Sequence, residues 1–165
     1  MTMSTENALP DTAQRVASLL RELGHDQPVV MLPESGRTSA EAAAGLGCSV
    51  AEIAKSIVFR RVADDAAVMV VASGSNRVDE KKVAAIVGPL AKADARFVRE
   101  KIGYAIGGVC PVGHLQKSVM LIDQDLLQYP KVWAAAGHPH AVFSLTPQQL
   151  VAMTAAPVAD IALQT

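Results

Sequence analysis

Apolar and polar positions recur with two different periods along the chain, and each change of period marks a boundary between elements. In DTAQRVASLLRELG (11–24), Val16, Leu19, Leu20 and Leu23 return at helical spacing. Asp11 is placed to cap that helix and Gly24 to stop it. PVVML (28–32) predicts a strand, PESGR (33–37) a polar turn, and the alanine-rich TSAEAAAGLG (38–47) a short helix ending at Gly47. Ser49 and Glu52 have the spacing of a capping box, which predicts one more helical turn that delivers the chain to Lys55. SIVFRRV (56–62) and AAVMVVAS (66–73), separated by Asp64 and Asp65, predict an antiparallel hairpin, and the second run is apolar on both faces, as a central strand would be.

The next segment, DEKKVAAIV (79–87), predicts a short helix between Asp79 and Gly88, and ARFVREKIG (95–103) a strand-to-helix element. Regular patterning then fails at GGVCPVG (107–113), whose three glycines and one proline exclude a regular helix. Beyond it, SVMLID (118–123), KVWAAAG (131–137) and AVFSL (141–145) predict strands, with a short QDLLQY segment after the first. TPQQLVAMT (146–154) has a cap at Thr146, proline at the first helical position and Gln149 completing the box, so it predicts a helix. Strands interspersed with short helices, some joined as hairpins, place the chain in the α/β class with an α+β character: one curved mixed sheet surrounded by helices. Residues 1–10 are expected to form a flexible lead-in and residues 11–165 a single domain.

Composition narrows the function classes. The formal net charge is −1 over 165 residues, so any contact with nucleic acid has to be local and not a property of the whole surface. Aromatic residues make up 4% of the chain, which makes the core aliphatic. Cys48 and Cys110 lack metal-type spacing, and reduced thiols are the plain expectation. Neither a signal-peptide pattern nor an apolar stretch of membrane-spanning length is present, which points to a cytoplasmic protein without a membrane partner.

Candidate chemistry gathers at two places. Lys55 heads an otherwise apolar strand; such a lysine commonly runs its methylenes over apolar neighbours and keeps its ammonium in water. Held beside a water-poor cleft, the same ammonium would attract a phosphate or a developing oxyanion far more strongly than it could in bulk water. In GGVCPVG the glycines can expose consecutive backbone N–H groups to a carbonyl or oxyanion, with Pro111 stiffening the exit, although a tight connection between strands reads equally well. Cys110 has no histidine beside it in sequence to activate a nucleophilic thiol. His138 and His140 share a spacing that could bind a metal, but Pro139 between them and the want of a third ligand favour a plain loop; no metal and no cofactor are expected.

The succession of TSAEAAAGLGCSVAEIAKSIVFR, VMVVASGSNRVDEKKVAAIVG, IGGVCPVGH and DLLQYPKVWAAAGHPHAVFSLTPQQL resembles the YbaK/EbsC family, stand-alone relatives of the editing domain of bacterial prolyl-tRNA synthetases. The resemblance runs from about Thr12 to about Met153. It implies a hydrolase, a trans-acting aminoacyl-tRNA deacylase that cleaves the ester of a small amino acid such as Ala, Cys or Ser, with tRNA-Pro as the tRNA. The partners it implies are the acceptor 3′ end of aminoacyl-tRNA and prolyl-tRNA synthetase. It carries the family's lysine onto Lys55 and its glycine loop onto Gly107, Gly108 and Val109, whose backbone would orient the ester carbonyl. Ser56, Ser73, Gly74, Arg77, Pro111 and His138 are carried over as further substrate contacts. Arg60, Arg61, Lys81 and Lys82 are candidates for a local positive patch, though alternation along a strand keeps Arg60 and Arg61 from both facing one cleft. A non-catalytic module that binds the tRNA 3′ end or a synthetase would share all of these features.

Overall fold

The computed structural model describes residues 9–33 and 38–164. Residues 1–8 of the expected lead-in at 1–10 and residues 34–37 of the predicted turn lie outside the described residues. Leu9 already packs into the core.

Helix α1 (Asp11–Glu22) buries Ala13, Val16, Ala17 and Leu20; of the expected stripe Val16 and Leu20 are in the core, whereas Leu19 is half-buried and Leu23, at the C-cap, is exposed. Its N-cap is Pro10, which makes no side-chain cap hydrogen bond, so Asp11 is the first helical residue and not the cap. There its carboxylate faces the positive end of the helix dipole. Strand β1 (Val29–Met31) follows, then α2 (Ser39–Leu46), capped by the Thr38 hydroxyl on the Glu41 N–H and closed by Gly47. The Ser49–Glu52 box forms as predicted, on a 3₁₀ turn over Val50–Glu52.

The hairpin is β2 (Ile53–Arg61) with β3 (Ala67–Ser73), antiparallel from Ala54↔Ser73 to Arg60↔Ala67. Every residue of β3 is buried, as expected of a strand apolar on both faces. Then come α3 (Glu80–Val87), β4 (Leu90–Lys92), α4 (Ala95–Lys101), β5 (Val119–Asp123), a 3₁₀ turn at Gln124–Gln128, β6 (Val132–Ala135), β7 (Ala141–Leu145), α5 (Pro147–Thr154) and β8 (Val158–Ala159). The capping box at Thr146 and Gln149 is present on α5. The two-residue strand β8 has no counterpart in the sequence pattern. It is too short to show alternation and exists because β5 offers it a parallel edge.

One mixed sheet results, in the order β1-β7-β6-β2-β3-β5-β8, with β4 attached to β2 off that path. The β2–β6, β3–β5 and β5–β8 pairs are parallel and the others antiparallel. This is a single-domain α+β fold with five α-helices among the described residues. On one face of the sheet, Ala54, Met69, Val71, Ala134 and Phe143 join α1 and α5 in the main core. On the other, Val68, Val70 and Ala72 pack with Val83 of α3, while Ile53 and Val142 pack with Ala42 and Ala43 of α2. Lys55 stands on this second face, in register with Ala72 and between those two apolar patches.

Candidate active site

The site arises from a fork in the sheet. Along one edge β2 pairs with β3 over its whole length, whereas its other edge is shared: β6 takes Ile53 and Ala54, and β4 takes Phe59, Arg60 and Arg61. Among the described residues, no strand pairs with 55–58 on that side. The C=O of Ile53 accepts from Gly74, and the N–H of Arg61 donates to Ala66, so the odd-numbered residues turn their backbone groups toward β3. The even-numbered ones, Ser56 among them, turn theirs toward the gap. The Ser56 hydroxyl is also buried without a hydrogen-bond partner. A pocket of about 520 Å³ opens at this gap, lined by Lys55, Ser56 and Ile57, by Ala105, Ile106, Gly107 and Val109 of the glycine loop, and by Ala134, Ala135, Pro139, Ala141 and Val142 across from it.

Lys55 does not run out into bulk water. Its Nζ donates to the main-chain carbonyl of Asn76 at 2.8 Å. Burial pulls its pKa below the ordinary lysine value; the Asp123 carboxylate opposes that shift and the Arg77 guanidinium adds to it. The Asn76 amide nitrogen donates to Asp123 Oδ2 at 2.9 Å and to Asp125 Oδ2 at 2.8 Å. Asp123, fully buried, also accepts from the Ser73 N–H at 3.0 Å and the Asp125 N–H at 2.9 Å.

The glycine loop divides its labour. Gly107 has φ +96°, in the region that glycine alone enters readily, and it lines the pocket with Val109. The N–H groups of Gly107 and Val109 donate to no acceptor among the described residues, whereas that of Gly108 is taken by Ala105 C=O at 3.0 Å. Gly108 is required for a different reason: a Cβ there would lie 2.8–2.9 Å from N, Cα and C of His138. The expected run of three available N–H groups is therefore two, with the middle glycine seating the loop against the turn at 138–140. Tyr104 and His114 brace the loop from behind, through Tyr104 Oη to Val112 C=O at 2.8 Å and His114 Nε2 to Cys110 C=O at 2.8 Å.

The other expected contacts distribute as follows. Ser73 is buried, with Oγ donating to Ala51 C=O at 2.7 Å, and Gly74 packs against Val50 and Ser39; neither lines the pocket. Pro111 is buried behind the loop and Arg77 is exposed beside Lys55. His138 touches the site through its backbone, and its Nδ1 accepts from the His140 N–H at 3.1 Å. The two histidine rings lie 5.5 Å apart, and the described residues contain no cluster of three or more metal-ligating side chains around them. Cys110 is fully buried and its thiol is pushed up to about 12, first by burial, so it stays protonated at neutral pH.

The anticipated positive patch is not where the sequence suggested. Arg60 pairs with Asp65 at 2.6 Å, Arg61 with Asp64 at 2.8 Å and Lys82 with Asp160 at 3.1 Å, and none of the three, nor Lys81, lines the pocket. Nearby acidic side chains from the hairpin turn and from beyond β8 neutralise them. The second cation lining the pocket is instead Arg99, on the exposed face of α4. Asn76, Asp123 and Arg99 were not singled out by sequence reasoning. Asp123 alone carried a signal, an acidic residue closing an otherwise apolar strand.

Residues 33–153 match the sequence profile of the aminoacyl-tRNA editing domain, and the chain belongs to that family. It is 32% identical to the uncharacterized protein YwhH of Bacillus subtilis (strain 168) over 126 residues, 76% of this chain and 80% of that one. Among solved structures, a proposed trans-editing enzyme for prolyl tRNA synthetase superposes with a TM-score of 0.89 at 45% identity, covering 95% of this chain and 100% of the other. The hypothetical protein APE2540 superposes with a TM-score of 0.83 at 33% identity, covering 90% and 99%. No helix among the described residues is long and apolar enough to cross a membrane.

Two substitutions test this geometry. Gly108→Ala should cost about 1–3 kcal/mol of stability by forcing the loop off the His138 backbone, read as a lower denaturant midpoint; an unchanged midpoint would mean the loop is not seated there. Lys55→Met removes a desolvated charge and keeps the length, so the melting temperature should hold or rise, by about 2–4 °C per kcal/mol gained. A clear fall would show that the ammonium supports the fold itself.

Proposed function

We propose that the protein is a trans-acting aminoacyl-tRNA deacylase, with the pocket at the β2 fork as its active site. The observation that carries this reading is the presence, at one pocket, of a part-buried ammonium and of two loop residues whose N–H groups have no acceptor among the described residues. An aminoacyl ester is already activated, so its hydrolysis needs a polarised carbonyl and a positioned water more than it needs a strong nucleophile. Gly107 and Val109 N–H would hold the carbonyl oxygen, and Lys55 would hold the substrate's 3′ end and stabilise the negative charge that develops on the ester in the transition state. Water oxygen adds to the carbonyl carbon, the bond from that carbon to the ribose oxygen breaks, and the proton ends on the 3′-terminal hydroxyl. Free amino acid and uncharged tRNA leave.

The pocket wall supports selection by size. Ala105, Ala134, Ala135 and Ala141, with Ile57 and Val142, offer an apolar wall, and Ser39, Lys55, Ser56 and Arg99 supply the polar lining. Small side chains such as those of Ala, Cys or Ser fit this chemistry, and one methylene in such a wall is worth about 1–3 kcal/mol of discrimination, enough to give a separate editing step a purpose. Ser56, with unpaired backbone and hydroxyl groups at the gap, is the polar contact we assign to the bound aminoacyl group. Arg77 and His138 would act at the rim, whereas Ser73, Gly74 and Pro111 support the walls. Reading of tRNA-Pro, alone or with prolyl-tRNA synthetase, belongs to the same proposal.

The test is release of amino acid from Ala, Cys, Ser and Thr esterified to tRNA-Pro and to their own tRNAs. Wild type should turn over many times on at least one small ester, and Lys55→Ala should lower kcat/KM about 100-fold or more, the scale of losing one oxyanion-stabilising group. Binding of the tRNA with every ester intact would replace the hydrolase with a binding module. Because its thiol is buried and protonated, Cys110→Ala should keep activity within about twofold, and Cys110 of the native protein should resist alkylation near pH 7.5. Loss of activity in that variant would revive a thiol mechanism.

A further inference from the structure

Among the buried groups that the proposed chemistry leaves unused is the Asp123 carboxylate. Other helix-capping aspartates of this chain, Asp79 and Asp94, do their work where water reaches them. Asp123 also caps, on the N–H of Asp125, but does so with no exposure at all. A fully buried carboxylate is costly to desolvate, and a cap alone does not account for one. Its second oxygen gives the account: Oδ2 takes both the Ser73 N–H, at the end of β3, and the Asn76 amide, at 3.0 and 2.9 Å. It thereby clamps the 73–76 turn, whose Asn76 N–H closes back on Ser73 C=O at 2.9 Å. The carbonyl leaving that turn is the one on which Lys55 rests.

We propose that Asp123 and Asn76 are positioning residues for Lys55: Asp123 fixes the Asn76 side chain, and the Asn76 carbonyl, so fixed, holds the ammonium at the pocket. This rests on the reading of Lys55 as a working group of the deacylase. Charge supports the same arrangement. The charged groups bearing on Lys55 are Asp123, from the end of β5, and Arg77, from the loop before α3, with Arg99 of α4 lining the same pocket. Asp123 is the one that favours the protonated amine against burial. Asp125 steadies Asn76 from the 3₁₀ turn. A lysine on a four-carbon stem has many rotamers, and a fixed carbonyl selects among them.

Asn76→Ala keeps the carbonyl and removes its anchor, and Asn76 is half-buried, so this variant is the primary one; Asp123→Asn accompanies it. On the ester that wild type cleaves, Asn76→Ala should lower kcat about 10- to 100-fold, the range seen when a supporting partner of a functional group is removed. In a Lys55→Ala background the same change should cost less than about twofold, since the residue acts through Lys55. An equal cost in both backgrounds, or none in wild type, overturns the proposal while leaving the deacylase standing. A second readout needs no activity: Lys55 should be acylated faster by an amine-reactive reagent in both variants than in wild type. If wild type cleaves no ester, the deacylase reading fails and this labelling decides the positioning role by itself; equal rates overturn it.

Discussion

A strand has two edges and can satisfy only one neighbour at a time along each. In this protein one edge of β2 is divided between β6 and β4, and the four residues between them are paired on the β3 side alone. Unpaired backbone in a fold interior is costly unless something polar meets it. The gap therefore has to be a place where solvent or a ligand enters. The pocket, the glycine loop that faces it and the lysine that enters it all sit at this division.

Electrostatics follow from that placement. The second face of the sheet is apolar to either side of Lys55, covered by α3 on one side and α2 on the other, so the ammonium is drawn partly out of water. What keeps it in place is a single backbone carbonyl, itself held by a buried carboxylate two strands away in the sheet order. The loop opposite is held with comparable economy. One glycine turns the chain, the next lets it approach the 138–140 turn, and Tyr104 and His114 occupy the carbonyls that would otherwise be free behind it.

Much of this was legible in the residues. The Thr146 and Ser49 boxes and the β2–β3 hairpin depend on neighbours within a few positions, and each appears where the pattern placed it; the first helix forms as well, but of its expected stripe only Val16 and Leu20 are buried. Lys55 and the glycine loop stood out because each breaks a local rule, and both line the pocket. Legibility failed where the determining partner is distant. Arg60 and Arg61 looked free in the chain but meet Asp65 and Asp64 across the hairpin turn, while Arg99, undistinguished on its helix, lines the pocket. Gly108, one of three similar glycines, is set apart by the His138 backbone that lies against it.

The sequence by itself determined the element order, the aliphatic two-faced core strand, the family resemblance and the two places where chemistry is possible. Local hydrogen bonding and side-chain periodicity are properties of adjacent residues, so they survive without a fold. Only the tertiary structure decided that β2 is shared between two strands, which of the N–H groups at 107–109 stay available, and that Asp123, 68 positions beyond Lys55 in sequence, is linked to it through Asn76. These are long-range pairings, set by which edges and faces the whole sheet leaves unsatisfied, and no window of sequence contains both partners.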